Sequence, residues 1–156
     1  MKLSTREDIE APLQHVFSAF ADVEGWERAA MRRGASVVRT DTLVELAVGM
    51  AWQIGFDYRG KPRVLEARLS ALDDPSYLAF AGTSHALEGM VTIDFLELGA
   101  KRTRVTIGTE LQPRTLGARL FLQSLKLAKA KITRKYELRV AQVCTDIEDR
   151  YRFARR

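Results

Sequence analysis

The side chains able to do chemistry are few in this chain, and their spacing excludes more than it offers. Its soft ligands are His15, His85 and Cys144, and no two of them stand at the short spacing that zinc sites use. No metal and no cofactor is therefore expected. Ser84 and His85 adjoin in the turn Thr83-Ser84-His85-Ala86, but adjacency in a turn does not set a base against a nucleophile, so the pair does not indicate a hydrolase. His15, beside Leu13 and Val16, reads as a helix residue. Acid–base work needs a carboxyl held in an apolar cavity with a shifted pKa, and Asp57, Asp94, Glu66, Glu88 and Glu110 are candidates by number. Each alternates against the apolar face of its strand, which turns it toward solvent.

The stronger constellation is apolar. Trp52, Ile54 and Phe56 fall on one strand, Phe80 on another, Val91, Ile93 and Phe95 on a third, and Leu125, Ile132 and Tyr136 on a carboxy-terminal helix. Converging on one interior, they either close-pack as core or line a pocket, and spacing alone leaves both open. Facing a gap, Tyr136 and Trp52 would orient a ligand through O–H and N–H.

Those side chains need elements to hold them. Lys2 to Glu10 carries Leu3, Thr5 and Ile9 at spacings of two and four, as a half-buried edge strand would. Pro12 suits the first turn of a helix, where its missing N–H is no loss, and Leu13, Val16, Phe17 and Phe20 give that helix one apolar face through Ala21. A second short helix is predicted over Val23 to Arg33, with Trp26 and Ala30 inward and Gly34 past its end. From Ala35 to Pro113 the period changes to two. Turn signals recur at Arg59-Gly60-Lys61-Pro62, Asp73-Asp74-Pro75-Ser76, His85 to Gly89 and Gly99-Ala100-Lys101. Such short links join antiparallel neighbours, so the segment reads as a six-strand meander.

Beyond Gly117 there is neither Gly nor Pro, which predicts one long helix over Thr115 to Asp149. Phe121, Leu125, Ala128, Ile132, Tyr136, Val143 and Ile147 form its burying stripe, with Cys144 flanking as an inert, partly buried thiol. A second row, Leu116, Leu120, Leu127 and Leu138, reads as packing under a loop, or as a homodimer contact or partner surface. The helix outreaches a sheet of about seven strands, so its end and a basic tail at about 150–156 should overhang and fray.

The 156 residues carry 25 Lys+Arg and 20 Asp+Glu, a formal charge of +5, with a pI of about 9.6. A basic chain raises nucleic acid as a partner. Residues 1–113, however, hold 13 basic and 16 acidic side chains, whereas residues 114–156 hold 12 and 4. The whole excess therefore sits on the last quarter, as the solvated face of a basic helix, and no aromatic-interleaved strand motif supports nucleic acid or ribosome. A hydrophobic fraction of 46% with 29% charged describes a globular chain, and its length fits one domain over residues 1–156. The longest charge-free run, 46–56, has about half of the ~20 residues of a bilayer-crossing helix, so no membrane span is expected. A charged amino terminus without a signal-peptide core and a single cysteine point to the cytoplasm.

Strand, two short helices, six meander strands and one long amphipathic helix is a specific order. With Ile9-Glu10-Ala11-Pro12, Val16-Phe17, Asp22-Val23-Glu24-Gly25-Trp26 and the terminal Leu122-Gln123-Ser124-Leu125-Lys126, it resembles the START-like (helix-grip, SRPBCC) superfamily. That group includes polyketide cyclases and dehydratases, birch-pollen-allergen-type plant proteins and lipid-transfer domains. The resemblance spans nearly the whole chain. It implies an α+β helix-grip fold, a curved antiparallel sheet of about seven strands (β-α-α-β6-α) wrapped around the long carboxy-terminal helix, with a cavity between them for an apolar small molecule or lipid. A sheet that curves around a helix without touching it everywhere leaves an apolar gap, which is by itself a ligand site. Three functions stand as expectations: binding of a hydrophobic small molecule or lipid with no evident catalytic group, a polyketide cyclase/dehydratase-like enzyme with an inward carboxylate or Tyr, and an interaction module setting the basic helix against an acidic partner. A fold of this kind does not choose among them.

Overall fold

Turn and cap chemistry divides the chain much as the period changes predict. In the computed structural model, which describes residues 1–154, β1 (Lys2–Ile9) leads into α1 (Leu13–Ala21) and α2 (Val23–Arg32). Asp22 separates the two helices, its side chain accepting from the Gly25 N–H at 3.2 Å to cap α2, and Gly34, at φ +95°, lies past the end of α2. Then follow β2 (Ser36–Arg39), β3 (Ala51–Tyr58), β4 (Lys61–Asp73), β5 (Tyr77–Thr83), β6 (Leu87–Gly99), β7 (Arg102–Pro113), α3 (Leu116–Lys126) and α4 (Lys129–Ala154). The seven strands make one antiparallel sheet in the order β1-β7-β6-β5-β4-β3-β2. This is the α+β helix-grip architecture.

Three of the strands are long, 13 residues in β4 and β6 and 12 in β7. Irregularities between Leu69 and Ala71 and between Glu97 and Gly99 add twist and bend the sheet. Gly89, paired with Gly82 across β5 and β6, allows a close approach inside that bend: a Cβ there would come within 2.9 Å of Leu111 Cδ2 and 3.1 Å of the Glu110 carbonyl.

The core sits under α1 and the carboxy-terminal half of α4. Ile9, Val16, Leu69, Leu78, Val105 and Ile147 are buried there, and Phe17 and Phe20 meet Phe95 edge-on, with centroids 5.2 and 5.5 Å away. Thr103, the one buried polar residue among those described, donates its hydroxyl to the Ala11 carbonyl at 2.9 Å.

The terminal helix departs from its predicted form. Instead of one rod over Thr115 to Asp149 there are two helices, separated at Leu127 and Ala128. No Gly or Pro marks the break. The Ser124 hydroxyl donates back to the Phe121 carbonyl at 2.7 Å, a competition that bends helices, and Leu127 and Ala128 close short turns onto Ser124 and Leu125. Leu116, Leu120, Leu127 and Leu138 lie under no loop; Leu127 is 93% exposed. At the far end Tyr151 packs back onto the fold, while Arg152, Phe153 and Ala154 are exposed. α4 runs past Asp149 to Ala154, with the Tyr151 ring 5.0 Å from His15 and the Glu148 carboxylate accepting from the Glu10 N–H at 2.8 Å. Residues 155 and 156 of the expected tail lie outside the described residues.

Candidate functional site

Because α4 lies chiefly along β1 and reaches β7 through Tyr136, its near end does not cover the middle of the concave sheet. α2 stands over the opposite edge, beside β2. Between them is a cavity of about 450 Å³. Its floor is made by Val37 of β2, Trp52 and Ile54 of β3, Ala67 of β4, Phe80 of β5, Val91 and Ile93 of β6 and Ile107 of β7. Phe20 of α1 and Val23, Trp26 and Ala30 of α2 form one wall, and Tyr136, Val140 and Val143 of α4 the other. The cross-strand pairs Trp52–Ala67, Phe80–Val91 and Ile93–Ile107 put the floor residues on one face.

Polar groups in this lining are few. The Tyr136 hydroxyl is hydrogen-bonded to Thr109 Oγ1 at 2.9 Å and donates to the Ile107 carbonyl at 3.3 Å. Trp52 Nε1 donates to Glu27 Oε1 at 2.7 Å, and Trp26 Nε1 to the Phe20 carbonyl at 3.0 Å. Arg139 is exposed and completes the lining from α4. The arrangement can take up an apolar body and meet it with a hydroxyl, a carboxylate and a guanidinium at separate points.

Of the ten apolar residues singled out from sequence, Trp52, Ile54, Phe80, Val91, Ile93 and Tyr136 come together here. The other four do not. Phe95 is buried against Phe17 and Phe20 beneath α1. Phe56, 39% exposed, lines a different hollow farther along β3. Leu125 and Ile132 are half-buried on either side of the helix break, outside the cavity lining. None of Asp57, Asp94, Glu66, Glu88 and Glu110 lines the cavity. Ser84 spends its hydroxyl on the Leu87 backbone, and His15 Nε2 lies 3.3 Å from the Ile147 carbonyl.

No protein-family model matches the chain, and no curated protein matches it. Solved structures do. The Zhui aromatase/cyclase from Streptomyces sp. R1128 superposes with a TM-score of 0.68 at 15% identity, over 96% of this chain and 94% of that one. TTHA0849 from Thermus thermophilus gives 0.64 at 19%, over 99% of each chain. A START superfamily protein from Mycobacterium smegmatis gives 0.56 at 8%, over 86% and 95%. This chain has the START-like fold.

The START-like frame explains which lining residues are hard to single out from sequence. Glu27 and Val23 belong to α2, whose apolar spacing at Val23, Trp26 and Ala30 is legible but reads equally as core. Ala67 shares the apolar face of its strand with Leu65 and Leu69, and nothing in that row distinguishes it. Among the described residues no group of three or more His, Cys, Asp and Glu could hold a metal ion, and no helix is long and apolar enough to cross a membrane.

Two titrating groups lie outside the cavity lining. Arg39 lies 5.7 Å from the Trp52 ring centroid and donates Nε–H to Asp41 Oδ2 at 2.8 Å. That bond, with a second from the Ala51 N–H at 2.8 Å, holds the Asp41 carboxyl well below the usual carboxylate range. Behind α4, burial pushes the Cys144 thiol up to about 12, with Glu7 and Glu148 adding to the effect.

Proposed function

We propose that this chain binds a hydrophobic small molecule or lipid in the cavity between sheet and α4, with no evident catalytic group. The observation that carries the reading is the lining: aliphatic and aromatic side chains from three helices and six strands around about 450 Å³. That volume falls in the roughly 300–1,000 Å³ range of small-molecule sites. An apolar guest there would be favoured by about 25 cal/mol per Å² of apolar surface removed from water. The solved neighbours include proteins named for aromatase/cyclase and START membership, which supports such a guest as a class.

Nile red, a neutral dye that brightens in apolar surroundings, tests the reading. Saturable binding is expected, weakened at least about tenfold by Val91→Trp or Ala67→Trp, which place an indole in the cavity; tenfold corresponds to about 1.4 kcal/mol. Equal binding by both variants and the parent would contradict it.

A second reading, an enzyme of the polyketide cyclase/dehydratase kind, is favoured by one specific observation: Glu27 and Tyr136 both reach the apolar lining. It requires turnover of a polyketide-like substrate that Glu27→Gln or Tyr136→Phe removes while binding persists. Loss of both together would return the site to binding alone.

A further inference from the structure

The sheet carries a second hollow, of about 830 Å³, enclosed by the β3–β4 hairpin, the β5–β6 turn and the first turns of α3. Phe56, Tyr58 and Phe121 give it three rings, Arg59, Arg63 and His85 give it cationic or protonatable groups, and no Asp or Glu lines it. Its most informative side chain is Arg59. The guanidinium carbon stands 5.5 Å from the Tyr58 ring centroid and 5.0 Å from that of Phe121, so cation–π contacts hold the group from two sides. Its backbone is left-handed, φ +52°, in the two-residue link Arg59-Gly60, a position where Asn, Asp or Gly is the ordinary choice. Neither the Arg59 nor the Arg63 guanidinium has a hydrogen-bond acceptor or ion-pair partner among the described residues. The first turn of α3, whose Gly117 lines the hollow, contains no acidic side chain.

We infer that this hollow binds a small amphipathic anion, an aromatic body carrying a carboxylate or phosphate group. The body lies against Phe56 and Phe121, and the anion is taken by Arg59 and Arg63. A planar fork of N–H donors matches the oxygens of either group in a way that a lysine ammonium does not. Stacking fixes the Arg59 fork before the ligand arrives, which lowers the ordering cost of binding. Three walls and a volume within the small-molecule range suit one compact ligand better than an extended polyanion. The site is independent of the guest proposed for the cavity beside α4.

Calorimetric titration of the full chain with naphthyl phosphate, naphthol and inorganic phosphate, with amide and indole NMR shifts recorded alongside, tests the inference. Naphthyl phosphate is expected to bind at least about tenfold more tightly than either of the others, an advantage of about 1.4 kcal/mol, and to move the Gly60 and Gly117 amides but not the Trp52 indole. Arg59→Lys, which keeps charge but loses the fork, and Arg63→Gln should each weaken it by a similar factor. Both positions are exposed, so folding is preserved and the spectrum of each variant verifies it. Phe121→Ala should weaken naphthyl phosphate and leave inorganic phosphate unchanged, and Val91→Trp should change neither. The inference is overturned if naphthol or inorganic phosphate binds as well as naphthyl phosphate, or if the shifts fall on Trp52. It fails equally if only an oligonucleotide binds, with the steep salt dependence of phosphate contacts.

Discussion

Trp52 Nε1 donates to Glu27 Oε1 at 2.7 Å, joining β3 to α2 across the lining of the apolar cavity. The same indole tilts against Phe80, with centroids 6.2 Å apart, and is faced by Arg39. One residue thus contributes apolar surface to the cavity and couples its floor to its wall. Glu27→Leu and Trp52→Phe should each cost about 1 kcal/mol in urea unfolding, the ordinary net contribution of a hydrogen bond. In a double-mutant cycle the two losses should be less than additive; full additivity would show that the bond contributes nothing.

Leu78 of β5 is fully buried, and Leu127 is 93% exposed at the helix break. Leu78→Ala should therefore destabilise the chain by about 2–5 kcal/mol, and Leu127→Ala by no more than about 0.5 kcal/mol. Denaturant midpoints measure both. A large loss at Leu127 would mean that something covers this face in solution.

Asp41 anchors the β2–β3 connection, accepting from Arg39 and from the Leu43 and Ala51 N–H groups. Its folded pKa lies below the ordinary 3.8, so its stabilisation is complete above that value and is lost as pH falls through the folded pKa. Asp41→Ala should lower the thermal midpoint at neutral pH, and the gap to the parent should narrow steadily below about pH 3.8. A gap that does not vary with pH would assign the loss to packing.

Cys144 is buried, and its thiol is pushed up to about 12. Only thiolate reacts at a useful rate. An aromatic disulfide reagent at pH about 8 should leave the native thiol unmodified and titrate it fully in urea, since unfolding restores an ordinary cysteine pKa of about 8.5.

The meander was legible because turn signals such as Arg59-Gly60 and Asp73 to Ser76 interrupt runs of strict alternation, and alternation also put Trp52, Ile54, Phe80, Val91 and Ile93 on faces that the sheet brings together. Legibility failed where tertiary geometry decides. Phe56 keeps the phase of Trp52 and Ile54, but nothing in that period says that the strand outruns the cavity. Phe95 continues the row of Val91 and Ile93 and ends beneath Phe17 and Phe20 instead. The break at Leu127 has no Gly or Pro to announce it; its visible cause is one serine hydroxyl bonded to a carbonyl. Glu27 reads as an ordinary surface charge until α2 is laid over β3.

A guest in the gap between sheet and α4 is the central claim, and native mass spectrometry of freshly purified protein tests it most directly. The expected result is the 17.6 kDa chain together with a stoichiometric apolar passenger, or uptake of one from an added lipid extract, and neither in the Val91→Trp variant. Bare chain from parent and variant alike, before and after the extract is added, would contradict it.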